Sequence, residues 1–140
     1  MEASAILQPV LVVGLLTVFM TVWMFATRIP EMNKRGIDPQ AAQDTSKLRD
    51  LLPPEVTRIS NNYNHLFEQP TLFYAVAISI AVLGHVDSFH VQCAWAYAIM
   101  RSAHSLVQAT VDIVMIRFGL FSLSWIVLGI MTVREAVALF

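Results

Sequence analysis

Arg101, His104, Gln108 and Asp112 interrupt one otherwise apolar stretch, FHVQCAWAYAIMRSAHSLVQATVDIVMIR, running from Phe89 to Arg117. With Tyr97 they recur at helical spacing, and at 100° per residue all five fall within about 80° of arc. Ala94, Ala96, Met100, Leu106, Val111 and Met115 are expected on the opposite side. A second polar set, Arg58, Asn61, Asn62, Asn64, His65, Glu68 and Gln69, lies in EVTRISNNYNHLFEQP. Guanidinium and imidazole groups interleaved with amide donors make a cationic lining, which suits an anionic ligand. His65, His104 and Glu68 are metal-ligand types, but they lack the tight i, i+4 pairing of a zinc site and have arginine beside them. They do not read as a metal centre. No Gly-rich phosphate loop follows a strand, and no serine sits in a nucleophile elbow.

The elements that must position these groups belong to a membrane. Of the 140 residues 56% are hydrophobic and only 14% charged, against about 25% charged in a soluble domain. The formal net charge of −1 argues against a nucleic-acid surface. A charged side chain near the bilayer centre costs roughly 2.5–3.5 kcal/mol, so the seam on 89–117 must face protein or water. The lone Cys93 has no partner for an internal disulfide and reads as an inert thiol among apolar neighbours.

Ile6 to Thr27 carries no charge and as a helix is about 33 Å long, enough for a hydrocarbon layer of about 30 Å. Glu2 and no Lys or Arg precede it, and the apolar run is too long for a cleaved leader. Pro9 is expected in the first turn, where a missing N–H is harmless. The pattern predicts helices over about 6–28, 55–84, 89–113 and 114–136, with a polar loop over 29–54 and two short turns. Asp44, Thr45 and Ser46 are placed to cap a short helix through Lys47–Leu52. Pro70 is expected to kink the second helix, and Gly84 to end it. The expectation is a single all-α integral membrane domain over 1–140, an up-down bundle of four helices. Arg28, Lys34, Arg35, Lys47, Arg49, Arg58 and Arg117 fall on one side and only Arg134 on the other, so loop 29–54 is expected in the cytoplasm.

If the second and third helices pack antiparallel, Glu68 and Arg101 lie at the same depth, about 18–20 Å from the cytoplasmic end. They are then expected to form a buried ion pair, with His65 and His104 close by at about 14–15 Å. Arg58 and Asp112 both fall near the cytoplasmic rim. The arrangement is either a polar zipper that fixes helix register or a polar cavity open to the cytoplasm. Six polar groups exceed what registry needs and favour the cavity.

The span pattern and these motifs resemble the MAPEG family, the membrane-associated proteins of eicosanoid and glutathione metabolism. The most specific part is Arg101-Ser-Ala-His104, followed thirteen residues after the histidine by Arg117. It is similar to the Arg-x-x-His and catalytic arginine of the microsomal prostaglandin E synthase branch. The resemblance implies a homotrimer that binds glutathione between subunits toward the cytoplasm, with Arg117 holding the glutathione thiolate. A fixed cation favours a thiolate over a thiol whose free pKa is near 8.5. Arg58, Asn62, His65 and Glu68 would line the tripeptide site, Arg28 would reach a glutathione carboxylate, and Arg101 and His104 would support the site from behind. The chain departs from the family pattern at several positions. His65 stands where an acid is expected, with Glu68 one turn on, and Pro70 comes one residue late. Gln108 and Phe121 stand where the eicosanoid enzymes have tyrosines.

The implied activity is a glutathione-dependent transferase or peroxidase acting on a lipophilic electrophile that arrives through the bilayer. The alternative is a non-catalytic relative, a trimeric membrane scaffold or lipid-binding protein that keeps the polar zipper for assembly. A transporter fits less well, because no inverted repeat is visible.

Overall fold

The computed structural model describes residues 1–140, and every regular element in it is helical. Helix α1 spans Ala3–Lys34, a 3₁₀ turn Pro39–Gln43, α2 Thr45–Leu51, α3 Pro54–His65, α4 Gln69–Leu83, α5 Ser88–Ala109 and α6 Val114–Leu139.

α1 is longer than expected at both ends. It starts at Ala3, so Pro9 lies beyond the first turn, and it continues through Pro30 to Lys34. One stripe of α1 (Ile6, Pro9, Val13, Met20, Met24) is buried, while Leu11, Leu15, Val18, Val22, Phe25 and Ile29 form the opposite, exposed stripe. Its threonines spend their hydroxyls on the preceding turn, Thr17 on the Val13 carbonyl at 3.0 Å and Thr21 on that of Thr17 at 2.7 Å. Both hydroxyls are thereby satisfied inside an apolar helix. The stretch expected as one loop is mostly ordered into short helices. Asp44 accepts from the Ser46 N–H at 3.1 Å and caps α2. Leu48 and Leu52 then pack with Met32 and Val56, which pins α2 across the ends of α1 and α3.

The second expected helix does not merely kink; it breaks. α3 stops at His65, Leu66–Glu68 are non-helical with Glu68 at φ −95° and ψ −98°, and α4 restarts with Pro70 in its first turn. The cause is local. In a continuous helix the Pro70 ring would clash with the Leu66 carbonyl and would have no N–H to give it, so the ladder is interrupted there. At the far end Gly84 adopts φ +74°, and the His85 N–H closes onto the Ile80 carbonyl at 3.0 Å. Asp87 caps α5 by accepting from the His90 N–H at 2.8 Å and also holds Arg134 of α6 through both carboxylate oxygens. α5 stops at Ala109 rather than near 113, and Asp112 turns the chain into α6 with φ +50°.

Ile6 and Val13 of α1, Phe73, Ala77 and Ile80 of α4, Ala94, Tyr97 and Ala98 of α5, and Leu128 and Met131 of α6 share one buried core. At its centre Phe73 stacks on Tyr97, with ring centroids 4.1 Å apart. Ala94 belongs to this core and not to the exposed side. It precedes Asp112 by eighteen residues, about five helical turns, and so lies on the polar seam's own face. Three stretches are long and apolar enough to cross a membrane: Ala3–Lys34, Pro54–Leu83 taken through its break, and Val114–Leu139. α5, at 22 residues, has the length but not the composition, because its buried face carries Arg101, His104 and Gln108.

Candidate functional site

The break between α3 and α4 sets the geometry of the polar groups. It carries Glu68 back across the end of α3, where a carboxylate oxygen meets His65 Nδ1 at 3.0 Å. The expected Glu68–Arg101 ion pair is therefore not formed. Glu68 is 63% exposed, whereas Arg101 is 1% exposed and none of its three guanidinium nitrogens has a hydrogen-bond partner. A continuous helix would have kept Glu68 at the depth of Arg101; the break moves it to the surface of the cleft. The other expected neighbours also re-pair. Arg58 Nε donates to the Ala109 carbonyl at 3.2 Å and closes the end of α5, while Asp112 accepts from Arg117 Nη1 at 2.7 Å.

Three adjoining clefts run past α3. The first, about 180 Å³, is lined by polar groups including Arg28, Arg49, Ser60, Tyr63 and Asn64, over a floor of Met24, Leu48 and Leu52. The second, about 360 Å³, has no apolar residue in its wall: Arg49, Asn61, Asn64, His65, Glu68, Gln108 and Arg117 line it. The third, about 190 Å³, adds His104 and an apolar wall of Val114, Phe118 and Phe121. Arg49, Asn61 and Asn64 are common to the first two clefts, and His65 and Arg117 to the last two. The His65 and His104 rings stand edge to face with centroids 6.4 Å apart.

The structure thus brings Arg117, His65 and Glu68 together, with His104 behind them and Arg28 one compartment away. Asn62 is fully buried and, like Arg58, lines none of the three clefts. Arg49 was legible only as a topology-setting charge. The Leu48/Leu52 pair just before Pro53-Pro54 is the signal that α2 docks, and docking puts the exposed Arg49 at the edge of two clefts. Asp112 as the partner of Arg117 had no sequence signal, because it depends on the left-handed turn.

Behind the clefts, α3 and α5 bury polar atoms that no protein group answers: both amide atoms of Asn62, the Arg101 guanidinium, His104 Nδ1, Ser105 Oγ and Gln108 Oε1. Deeper still, Gln69, Ser124 and Tyr97 connect α4, α6 and α5, with Ser124 Oγ 3.1 Å and Tyr97 OH 3.4 Å from Gln69 Oε1. In the other amide orientation the Gln69 oxygen instead accepts from the Trp125 indole N–H at 3.2 Å and from Ser124 Oγ at 3.1 Å.

This helical layout carries its polar seam inside apolar spans, and comparison with known families agrees with it: the MAPEG family model matches residues 6–137. The chain belongs to the MAPEG family. No curated protein and no solved structure gave a match. As a MAPEG protein with three span-capable helical stretches, it is an integral membrane protein. Within the MAPEG match lie Arg28, every lining residue of the three clefts, and the α3–α4 break.

Proposed function

We propose that this MAPEG protein is a glutathione-dependent transferase or peroxidase acting on lipophilic electrophiles. The observation that supports it best is the junction at His65 and Arg117, where a wholly polar cleft meets one walled by Val114, Phe118 and Phe121. A reaction between a charged tripeptide and an apolar molecule needs such a boundary. The residues fit the tripeptide chemically. Arg28, Arg49 and Arg117 suit its carboxylates and thiolate, and Asn61, Asn64 and Gln108 its amides.

Glutathione, when bound, supplies the sulfur nucleophile. A guanidinium is a permanent cation with five donors, and Arg117 has nitrogens left after the single bond to Asp112, so it can hold negative charge on sulfur. Phe118 and Phe121 present an apolar wall to the electrophile and keep water from it. Loop 29–54 in the cytoplasm would give the tripeptide its entry. Assembly as a homotrimer, built as a bundle of four spans per subunit, would give the clefts their remaining walls.

Ultraviolet difference absorbance on titrating glutathione into the purified protein at neutral pH tests this reading. A saturable thiolate band, absent in a folded Arg117→Ala variant, is the expected result. No band from the intact protein overturns it and leaves a membrane scaffold or lipid-binding role. Native mass of the detergent-solubilised protein tests the assembly, and a monomer or dimer would refute the trimer.

A further inference from the structure

We propose that His65, oriented by Glu68, is the proton acceptor and donor of this site. The inference rests on the reading just given and adds a catalytic residue to it.

His65 and Arg117 alone line both the polar and the apolar cleft. Any reaction that brings a tripeptide sulfur to a lipophilic molecule happens between those two side chains. Arg117 cannot take a proton, since a guanidinium is always charged in proteins. His104 lines only the apolar cleft, is 4% exposed, and its Nδ1 has no hydrogen-bond partner. Glu68 lines only the polar cleft. That leaves His65, the side chain type whose proton exchange falls nearest neutral pH.

The ring is also held for the task. Glu68 accepts at Nδ1 from 3.0 Å, which keeps the neutral imidazole's N–H on Nδ1 and its lone pair on Nε2. The pair is three residues apart across the end of α3, so Glu68 reaches back one turn to the ring. The ionisable groups facing His65 are Glu68 on its own segment, Arg49 from α2, His104 from α5, and Arg117 from α6 with its Asp112 partner.

The step balances. The thiol S–H bond breaks and its proton passes to His65 Nε2. The sulfur electron pair forms a bond to the electrophilic carbon. The displaced electron pair leaves on the departing group or on the neighbouring atom of a polarised double bond, and the imidazolium returns the proton there. Glu68 is the positioning residue.

The test compares wild type, His65→Gln and Glu68→Gln by three readouts. Calorimetry with S-methylglutathione, whose sulfur carries no proton, reports tripeptide binding alone. Turnover of a chromogenic aromatic electrophile against pH reports proton transfer. Nitrogen-15 histidine spectra of the ligand-free protein report the His65 tautomer. His65→Gln should bind S-methylglutathione within a few-fold of wild type, lose roughly 10²–10⁴-fold in turnover at neutral pH, and lose the rising limb of the wild-type pH profile. Glu68→Gln should keep that limb, lower turnover less, and shift the tautomer ratio. An unchanged pH profile in His65→Gln, with S-methylglutathione still bound, overturns the role of His65 and leaves the parent reading standing. Failure of wild type to bind S-methylglutathione overturns both. If His65→Gln itself cannot bind it, Glu68→Gln decides: an unaltered turnover with an unaltered tautomer ratio overturns the proposal.

Discussion

Arg101 is a buried cation that the protein leaves unanswered, and this makes its replacement informative. The side chain is 1% exposed, Nε, Nη1 and Nη2 have no partner, and Glu68 is committed to His65 at the cleft surface. An unpaired ion in a protein interior costs several kcal/mol after relaxation, and replacing buried ionic groups by hydrophobic ones of similar volume gains about 1–4 kcal/mol in favourable cases. Arg101→Met removes the charge and keeps most of the stem, so we expect a gain in that range. Arg101→Ala removes the same charge but opens a cavity among packed helices, and large-to-Ala cavities cost about 2–5 kcal/mol. The alanine variant should therefore end near or below wild type, and the gap between the two variants isolates packing from charge. Reversible unfolding in mixed micelles with increasing sodium dodecyl sulfate, followed by tryptophan fluorescence, measures both. A methionine variant less stable than wild type by more than about 1 kcal/mol would show that the guanidinium is answered after all, and the argument would fail.

Two further predictions concern the far end of the molecule. The Arg134 guanidinium first, and the His90 N–H second, hold the Asp87 carboxyl down at about 2, below its ordinary 3.8. A depressed carboxyl stabilises the fold above its unfolded value, so this contribution is complete above pH 3.8 and disappears as pH falls through about 2. Thermal unfolding of Asp87→Asn should lack that part of the acid dependence, and identical acid profiles for the two proteins would refute it. Gly84 sits at φ +74° with open space where a Cβ would point, so Gly84→Ala pays only for its backbone. The expected loss is about 1–2 kcal/mol, read by the same micelle unfolding, and an unchanged midpoint would contradict it.

Much of the layout was legible because it follows from local rules. Gly84 as a stop, Asp44 before α2 and the apolar runs of α1 and α6 need only the immediate neighbours to be understood. The seam of Tyr97, Arg101, His104 and Gln108 was legible from its spacing, and all four are buried. Ala94 was misplaced although its spacing, about five turns before Asp112, already put it on the seam's face, where it is buried. Pro70 announced a disturbance, but a kink and a break have the same signature in sequence. What separates them is whether the surroundings let the carbonyls of the last turn find other partners. Here the Leu66, Phe67 and Glu68 amides fold back onto the end of α3.

The sequence by itself determined that this is a helical membrane protein of the MAPEG family with a polar, cationic seam. Hydropathy and helical period act through the bilayer and the backbone, and neither requires knowing what packs against what. The tertiary structure decided who meets whom. Equal depth along two helices made Glu68 and Arg101 look like partners, yet an ion pair needs the right azimuth and an unbroken helix as well. Glu68 meets His65 one turn back, the left-handed Asp112 takes Arg117, and Arg101 is left buried without a partner. Spacing along the chain allowed Glu68 more than one partner, and only the packed structure decides which one it takes.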